Sequence, residues 1–124
     1  MEDWVSGGVT ITREMVVQKV NALFGPADRE AVLGVLEEGE DSPRVRMAIL
    51  KLAGGSVDQV LKWVLEARTD YRDVLAAAEY PRAMRTSLDM RDILPESEHD
   101  RIRRLDRDEY LAWLGAPRRD EAPA

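Results

Sequence analysis

The side chains with the most chemistry to offer lie in one run, Arg68-Thr69-Asp70-Tyr71-Arg72-Asp73-Val74-Leu75-Ala76-Ala77-Ala78-Glu79-Tyr80-Pro81. Within it Tyr71, Arg72, Asp73, Glu79 and Tyr80 stand beside smooth apolar positions, and two arrangements follow from those residue types. In one they form a polar binding edge, with arginine and tyrosine as anchors of the kind enriched at interfaces. In the other Arg72 pairs with a nearby carboxylate, and the tyrosine rings lie half-buried with wet hydroxyls. A pocket between helices around Tyr71, Arg72, Asp73 and Glu79 would suit a small ligand or a reaction. Trp63 joins these candidates because it falls off the main apolar stripe of its segment, so it either widens the core face or marks a contact surface.

Other chemistry finds less material. Glu96 and His99 are three apart, which is half of a carboxylate-bridged di-iron pattern on helices. His99 is the only histidine, so the second half has no source, and with Glu98 and Asp100 beside it the ring reads as a solvated side chain. Zinc draws on several His or Cys ligands, and there is no cysteine. The acidic run Glu37-Glu38-Gly39-Glu40-Asp41 has the charge of a Ca²⁺ loop without its ligand spacing. Gly54-Gly55-Ser56 precedes a helix start that could hold an anion, yet no G-x-x-x-x-G-K-[ST] surrounds it, and a helix–helix corner explains the glycines. A serine triad needs a histidine base with a nucleophile signature near it, and none is present. No catalytic residue, metal or cofactor is therefore expected.

The elements that position these residues are helical from end to end. Ser6-Gly7-Gly8 reads as a flexible lead-in to Val9-Thr10-Ile11-Thr12, a short strand with no evident partner. Thr10 or Thr12 can cap a first helix carrying Val16, Val20, Leu23 and Phe24. Gly25-Pro26 starts a second helix over about 26–38 with Ala31, Val32, Val35 and Leu36 along one side, stopped by Gly39. Ser42-Pro43 opens a third, with Val45, Ala48, Ile49 and Leu52 inward and Arg44, Arg46 and Lys51 left for solvent. Gly54 closes it with a left-handed residue. Ser56-Val57-Asp58-Gln59 has the form of a capping box, and Val57, Val60, Leu61, Val64 and Leu65 follow as the apolar face.

Beyond Arg68 two readings stay open, one long helix to Pro81 or a fresh helix capped by Thr69 or Asp70. Residues 82–95 look irregular, with Met84, Leu88, Met90, Ile93 and Leu94 available to pin them to the core. A helix over about 96–104 follows Pro95. Asp106-Arg107-Asp108-Glu109 resembles a second capping box leading into Tyr110, Leu111, Trp113 and Leu114. The pattern predicts an all-α fold, a compact bundle of five to seven short helices over residues 1–115, with a flexible tail over 116–124.

The span Ala31 to Glu66 resembles a ubiquitin-associated (UBA-like) three-helix module. The likeness is carried by Ala48-Ile49-Leu50, Gly54-Gly55-Ser56-Val57, Val60 and Trp63-Val64-Leu65. It implies a three-helix core with the helix over 26–38 as its first member. The family's apolar Met-Gly-Phe/Tyr loop is replaced by Glu38-Gly39-Glu40-Asp41, so ubiquitin binding is not inferred. The runs AILKLAGG and DYRDVLAAAEYP also look like stretches of small bacterial all-helical proteins, a resemblance that implies no activity.

Composition narrows the function classes. The 124 residues are 44% hydrophobic and 34% charged, with 18 basic and 24 acidic side chains, a balance that favours a globular fold over disorder. Residues 1–41 hold three basic against nine acidic side chains, which would repel a polyanion, so nucleic acid is not an expected partner. No run approaches the about 20 apolar residues that span a bilayer, and Met1-Glu2-Asp3-Trp4 lacks the order of a secretory signal. The first expectation is a small cytoplasmic helical protein acting by protein–protein contact, as an accessory subunit or by self-association as a homodimer. Its motive is that Trp63, Tyr71, Tyr80 and Trp113 exceed what a small core needs while catalytic signatures are missing. The alternative is a small-molecule binder or enzyme using the pocket named above. An acidic antitoxin or immunity-type protein is a third reading, resting on size and the acidic first third.

Overall fold

In a computed structural model of the chain, the described residues are 2–6, 9–90 and 94–115, with the side chains of 2–6 and 87–90 outside the description. Among them are six helices: α1 (Arg13–Leu23), α2 (Pro26–Gly39), α3 (Pro43–Ala53), α4 (Val57–Glu79), α5 (Pro81–Met90) and α6 (Glu96–Trp113). The one sheet is a two-stranded antiparallel ribbon of β1 (Glu2–Ser6) and β2 (Val9–Thr12). The fold is all-α, as the periodicity predicts. The chain divides into two compact units, Met1–Ala78 and Glu79–Ala124. Gly7, Gly8, Ile93 and the tail over 116–124 lie outside the described residues, as do the side chains of Trp4, Leu88 and Met90.

In the first unit, the strand that lacked an evident partner finds one immediately upstream. Val5 pairs with Thr10 and Ser6 with Val9, with an irregularity between Glu2 and Val5. Glu2 and Asp3 hid β1, because acidic residues are depleted in strands. Ile11 is fully buried, and β2 packs on α1 and α3. Thr12 caps α1, its Oγ1 accepting a hydrogen bond from the Met15 N–H at 3.2 Å. Val16 and Val20, one turn apart, bury the inner face of α1.

Arg29 ties α2 back to the end of α1: its Nε donates to the Phe24 carbonyl and its Nη2 to the Asn21 carbonyl, both at 2.9 Å. These bonds satisfy acceptors that a helix end leaves without partners.

Helix α3 is the centre of this unit. Ser42 caps it, Oγ accepting from the Val45 N–H at 3.2 Å, and Gly54 ends it at φ +62°, where a glycine avoids the Cβ clash. Pro43, Val45, Met47, Ala48, Ile49, Leu50 and Ala53 are all buried, so the helix is covered on nearly every side rather than along one stripe. That corrects the expectation for Arg46, placed in solvent by its charge. It is only 8% exposed, and its Nε donates to the Glu40 carbonyl at 2.6 Å. The fixed donor fork of arginine lets a buried guanidinium serve as a structural tie.

Ser56 caps α4 from the Gln59 N–H at 3.3 Å. The question of one helix or two over 57–79 resolves at Asp70, whose φ −158°, ψ 99° is extended backbone inside an otherwise helical run. Asp70 Oδ1 accepts from the Arg72 N–H at 3.0 Å, so it caps the second stretch much as a fresh N-terminus would be capped.

The second unit departs most from the sequence reading. The span 82–95, expected to be irregular, holds most of α5 (Pro81–Met90), and the helix expected over about 96–104 and the one expected to start at Asp106 are one helix, α6. One residue accounts for both corrections. Asp106, 1% exposed, reads locally as an N-cap, and it is one, but for α5. Its Oδ1 accepts from the Arg82 N–H at 3.2 Å and its Oδ2 from the Ala83 N–H at 2.9 Å. The cap of α5 therefore comes from 24 residues away, where no local pattern shows it. The Arg82 guanidinium closes the arrangement, its Nη1 donating to Asp106 Oδ1 at 3.0 Å and to Glu109 Oε1 at 2.8 Å. Tyr110, buried, stacks on Trp113 with ring centroids 5.9 Å apart. Met84, offered as a core pin, is 38% exposed.

Candidate protein-contact site

Helix α4 buries Val60, Val64 and Ala67, which recur at four and three residues and so share one side. Leu61 and Leu65 were expected on that same face. At about 100° per residue they fall on its edge, and they stay 45% and 61% exposed. Beside them runs a groove of about 380 Å³ between α2 and α4, lined by Val35, Glu38, Gly39, Leu61, Val64, Leu65 and Arg68. Its floor depends on Gly39, since a Cβ there would stand 2.3 Å from Val64 Cγ1. The missing side chain lets the last turn of α2 approach α4. Neither Glu38 nor Arg68 has an ion-pair partner among the described residues, so the apolar groove carries one anion and one cation free to meet opposite charges.

A second depression, of about 400 Å³, is lined by Arg13, Glu37, Asp41, Pro43 and Arg46. Its charges are largely committed. Arg13 pairs with Glu37, Arg46 is tied to the Glu40 carbonyl, and Glu40 Oε2 accepts from the Ser42 N–H at 2.9 Å. Two members of the acidic run thus serve as structural ties.

The six candidates named from sequence are placed as follows. Trp63 is half-buried, and its indole N–H is buried with no hydrogen-bond partner among the described residues. The Lys62 ammonium lies 4.9 Å from the centre of its ring, a cation–π contact. Tyr71 is 52% exposed, and Arg72 and Asp73 are exposed beside it. Arg72 Nε donates to Asp70 Oδ1 at 3.2 Å. Glu79 is buried at 1% exposure. Tyr80 is half-buried just ahead of α5, its carbonyl accepting from the Met84 N–H at 2.9 Å. Glu79 and Tyr80 belong to the second unit, the other four to the first. Elsewhere, Glu96 of the Glu-x-x-His pair lies 3.7 Å from Arg103.

Sequence reasoning missed the groove. Its signals were present: two leucines at the margin of an apolar arc, and a glycine in the last turn of α2. Their conjunction needs the helix packing.

The Asp70–Arg72 pair gives a pH-dependent expectation. The Arg72 guanidinium, then the Arg72 N–H, hold the Asp70 carboxyl below the ordinary carboxylate range. A depressed folded-state value means the pair's contribution is present at neutral pH and lost as pH falls through that value. In a ¹³C carboxyl titration by NMR, Arg72→Ala is expected to move Asp70 upward, toward the ordinary range. An unmoved titration would show that the side chains do not pair in solution.

Comparison with known proteins finds no matching family model, curated protein or solved structure. The likeness over 31–66 to the ubiquitin-associated pattern therefore remains one of sequence alone. Among the described residues no helix is long and apolar enough to cross a membrane.

Proposed function

We propose that this chain works by protein–protein contact, with the α2/α4 groove as the contact surface. The observation behind this reading is that Leu61 and Leu65, 45% and 61% exposed, stand together on a groove whose other walls are Val35 and Val64. Scattered surface leucines mean little, but apolar side chains gathered on a concavity and bordered by charge have the anatomy of an interface, an apolar centre with a polar rim. Burying each leucine against a partner contributes on the order of 1–2 kcal/mol. The exposed Tyr71 lies just past the break at Asp70, outside the groove lining.

The test is site-specific cross-linking. A photoreactive residue at position 65, introduced into the full chain in its native cells, is expected to yield a protein adduct. The same probe at Glu30, exposed on α2 and outside the groove lining, is expected to yield none. Equal labelling, or none at position 65, would dispose of the reading.

A further inference from the structure

The exposed face of α4 carries a pattern with a symmetry of its own. Asp58, Leu61, Leu65 and Arg68 are all exposed and follow one another at three, four and three residues. At about 100° per residue they fall in a stripe roughly 80° wide. The two leucines are in the middle, the anion at the N-terminal end and the cation at the C-terminal end. The midpoint of Leu61 and Leu65 is also the midpoint of Asp58 and Arg68. A second copy of the helix laid antiparallel about a two-fold axis through that midpoint would set Leu61 against the partner's Leu65. The same axis would set Asp58 against the partner's Arg68, each contact occurring twice. An isologous interface requires this self-complementarity, in which residue i meets residue j and j meets i.

We infer that the occupant of the groove is a second copy of this chain, seated by antiparallel pairing of α4 across Leu61 and Leu65 with Asp58–Arg68 ion pairs at both ends. This rests on the contact reading above and names its partner. Three further observations support it. The stripe ends where the helix does, because the extended residue Asp70 breaks α4 two positions after Arg68. Asp58 and Arg68 have no ion-pair partner among the described residues, so both charges are available to the partner. Lys62, which flanks the stripe, leans onto the Trp63 ring. Trp63 projects to the side of the helix away from the leucines, so the ammonium is drawn off the seam. A four-leucine seam is small, and the dimer it makes is weak, in the micromolar range.

The test is a pair of charge reversals read by sedimentation equilibrium of the full chain. In D58R both ends of the stripe are basic, and in R68D both are acidic. Each variant alone is expected to dimerise at least about tenfold more weakly than the natural chain, since like charges then face each other twice. Mixed in equal amounts, the two are expected to recover the natural affinity as a heterodimer, because every reversed charge then meets its opposite. Leu65→Asp, at a position outside the core, is expected to weaken the dimer by about a hundredfold. A natural chain that stays monomeric up to about 1 mM would overturn the inference. So would a dimer indifferent to the reversals, or reversed variants that fail to rescue each other. An adduct at position 65 with a different protein and none with a second copy would also overturn it, while leaving the contact reading standing.

Discussion

Asp106→Ala is expected to lower the stability of the second unit by about 2–3 kcal/mol, the upper range for a lost cap because its backbone donors are then left without partners at a buried site. The carboxylate is buried and accepts from the Arg82 and Ala83 N–H groups and from the Arg82 guanidinium. Alanine removes every one of those acceptors and leaves two first-turn amides unpaired where water enters poorly. Asp106→Asn is expected to cost roughly half as much, because one carbonyl oxygen remains while the amide nitrogen presents donors to donors. Arg82→Ala should cost least, since both backbone bonds to Asp106 survive it. Hydrogen exchange gives the decisive readout. Amides of α5 should lose protection in Asp106→Ala, while those of α3, in the other unit, should keep theirs. A loss below about 0.5 kcal/mol with α5 protection intact would place this residue among ordinary surface positions.

The same residue shows where the sequence is legible and where it is not. Caps that act within three residues were readable: Ser42 on Val45 and Ser56 on Gln59 are in place, and of the two candidates Thr10 and Thr12 it is Thr12 that caps α1, on Met15. Local hydrogen-bonding geometry decides such sites, and local geometry is written in spacing. Asp106 announced itself as a cap by type, but its target lies on another helix, so the pattern gave the role without the recipient. Arg46 failed for a related reason. Charge says that a side chain prefers water, but not that the only route for α3 runs through the middle of the first unit, where a carbonyl of the preceding turn accepts it. The groove was lost through angle: Leu61 and Leu65 belong to the apolar arc by type, and only the positions of α2 and α4 show that the arc is wider than the surface available to cover it. Tyr71, Arg72 and Asp73 stood out for their chemistry, and they lie exposed, with Arg72 engaged by Asp70.

That geometry turns on the approach of α2 to α4, and the approach turns on Gly39. Gly39→Ala is expected to destabilise the first unit by about 1–2 kcal/mol, the usual cost of an extra methyl in a packed contact less part of the gain from replacing a helical glycine. The added Cβ would stand 2.3 Å from Val64 Cγ1, and Val64 is a stiff β-branched residue only 5% exposed, so rotation about χ1 offers little relief. Val64→Ala alone is expected to cost about 2–3 kcal/mol through lost burial and the cavity it leaves. The two costs should not add. With Val64 truncated, the methyl at position 39 enters the vacated space, so the double variant should be no less stable than Val64→Ala. That corresponds to a coupling of about 1–2 kcal/mol in a double-mutant cycle by urea denaturation. Strict additivity would mean that the helices stand farther apart than this packing requires. The floor of the groove would then be lost, and with it the surface on which the proposed contact rests.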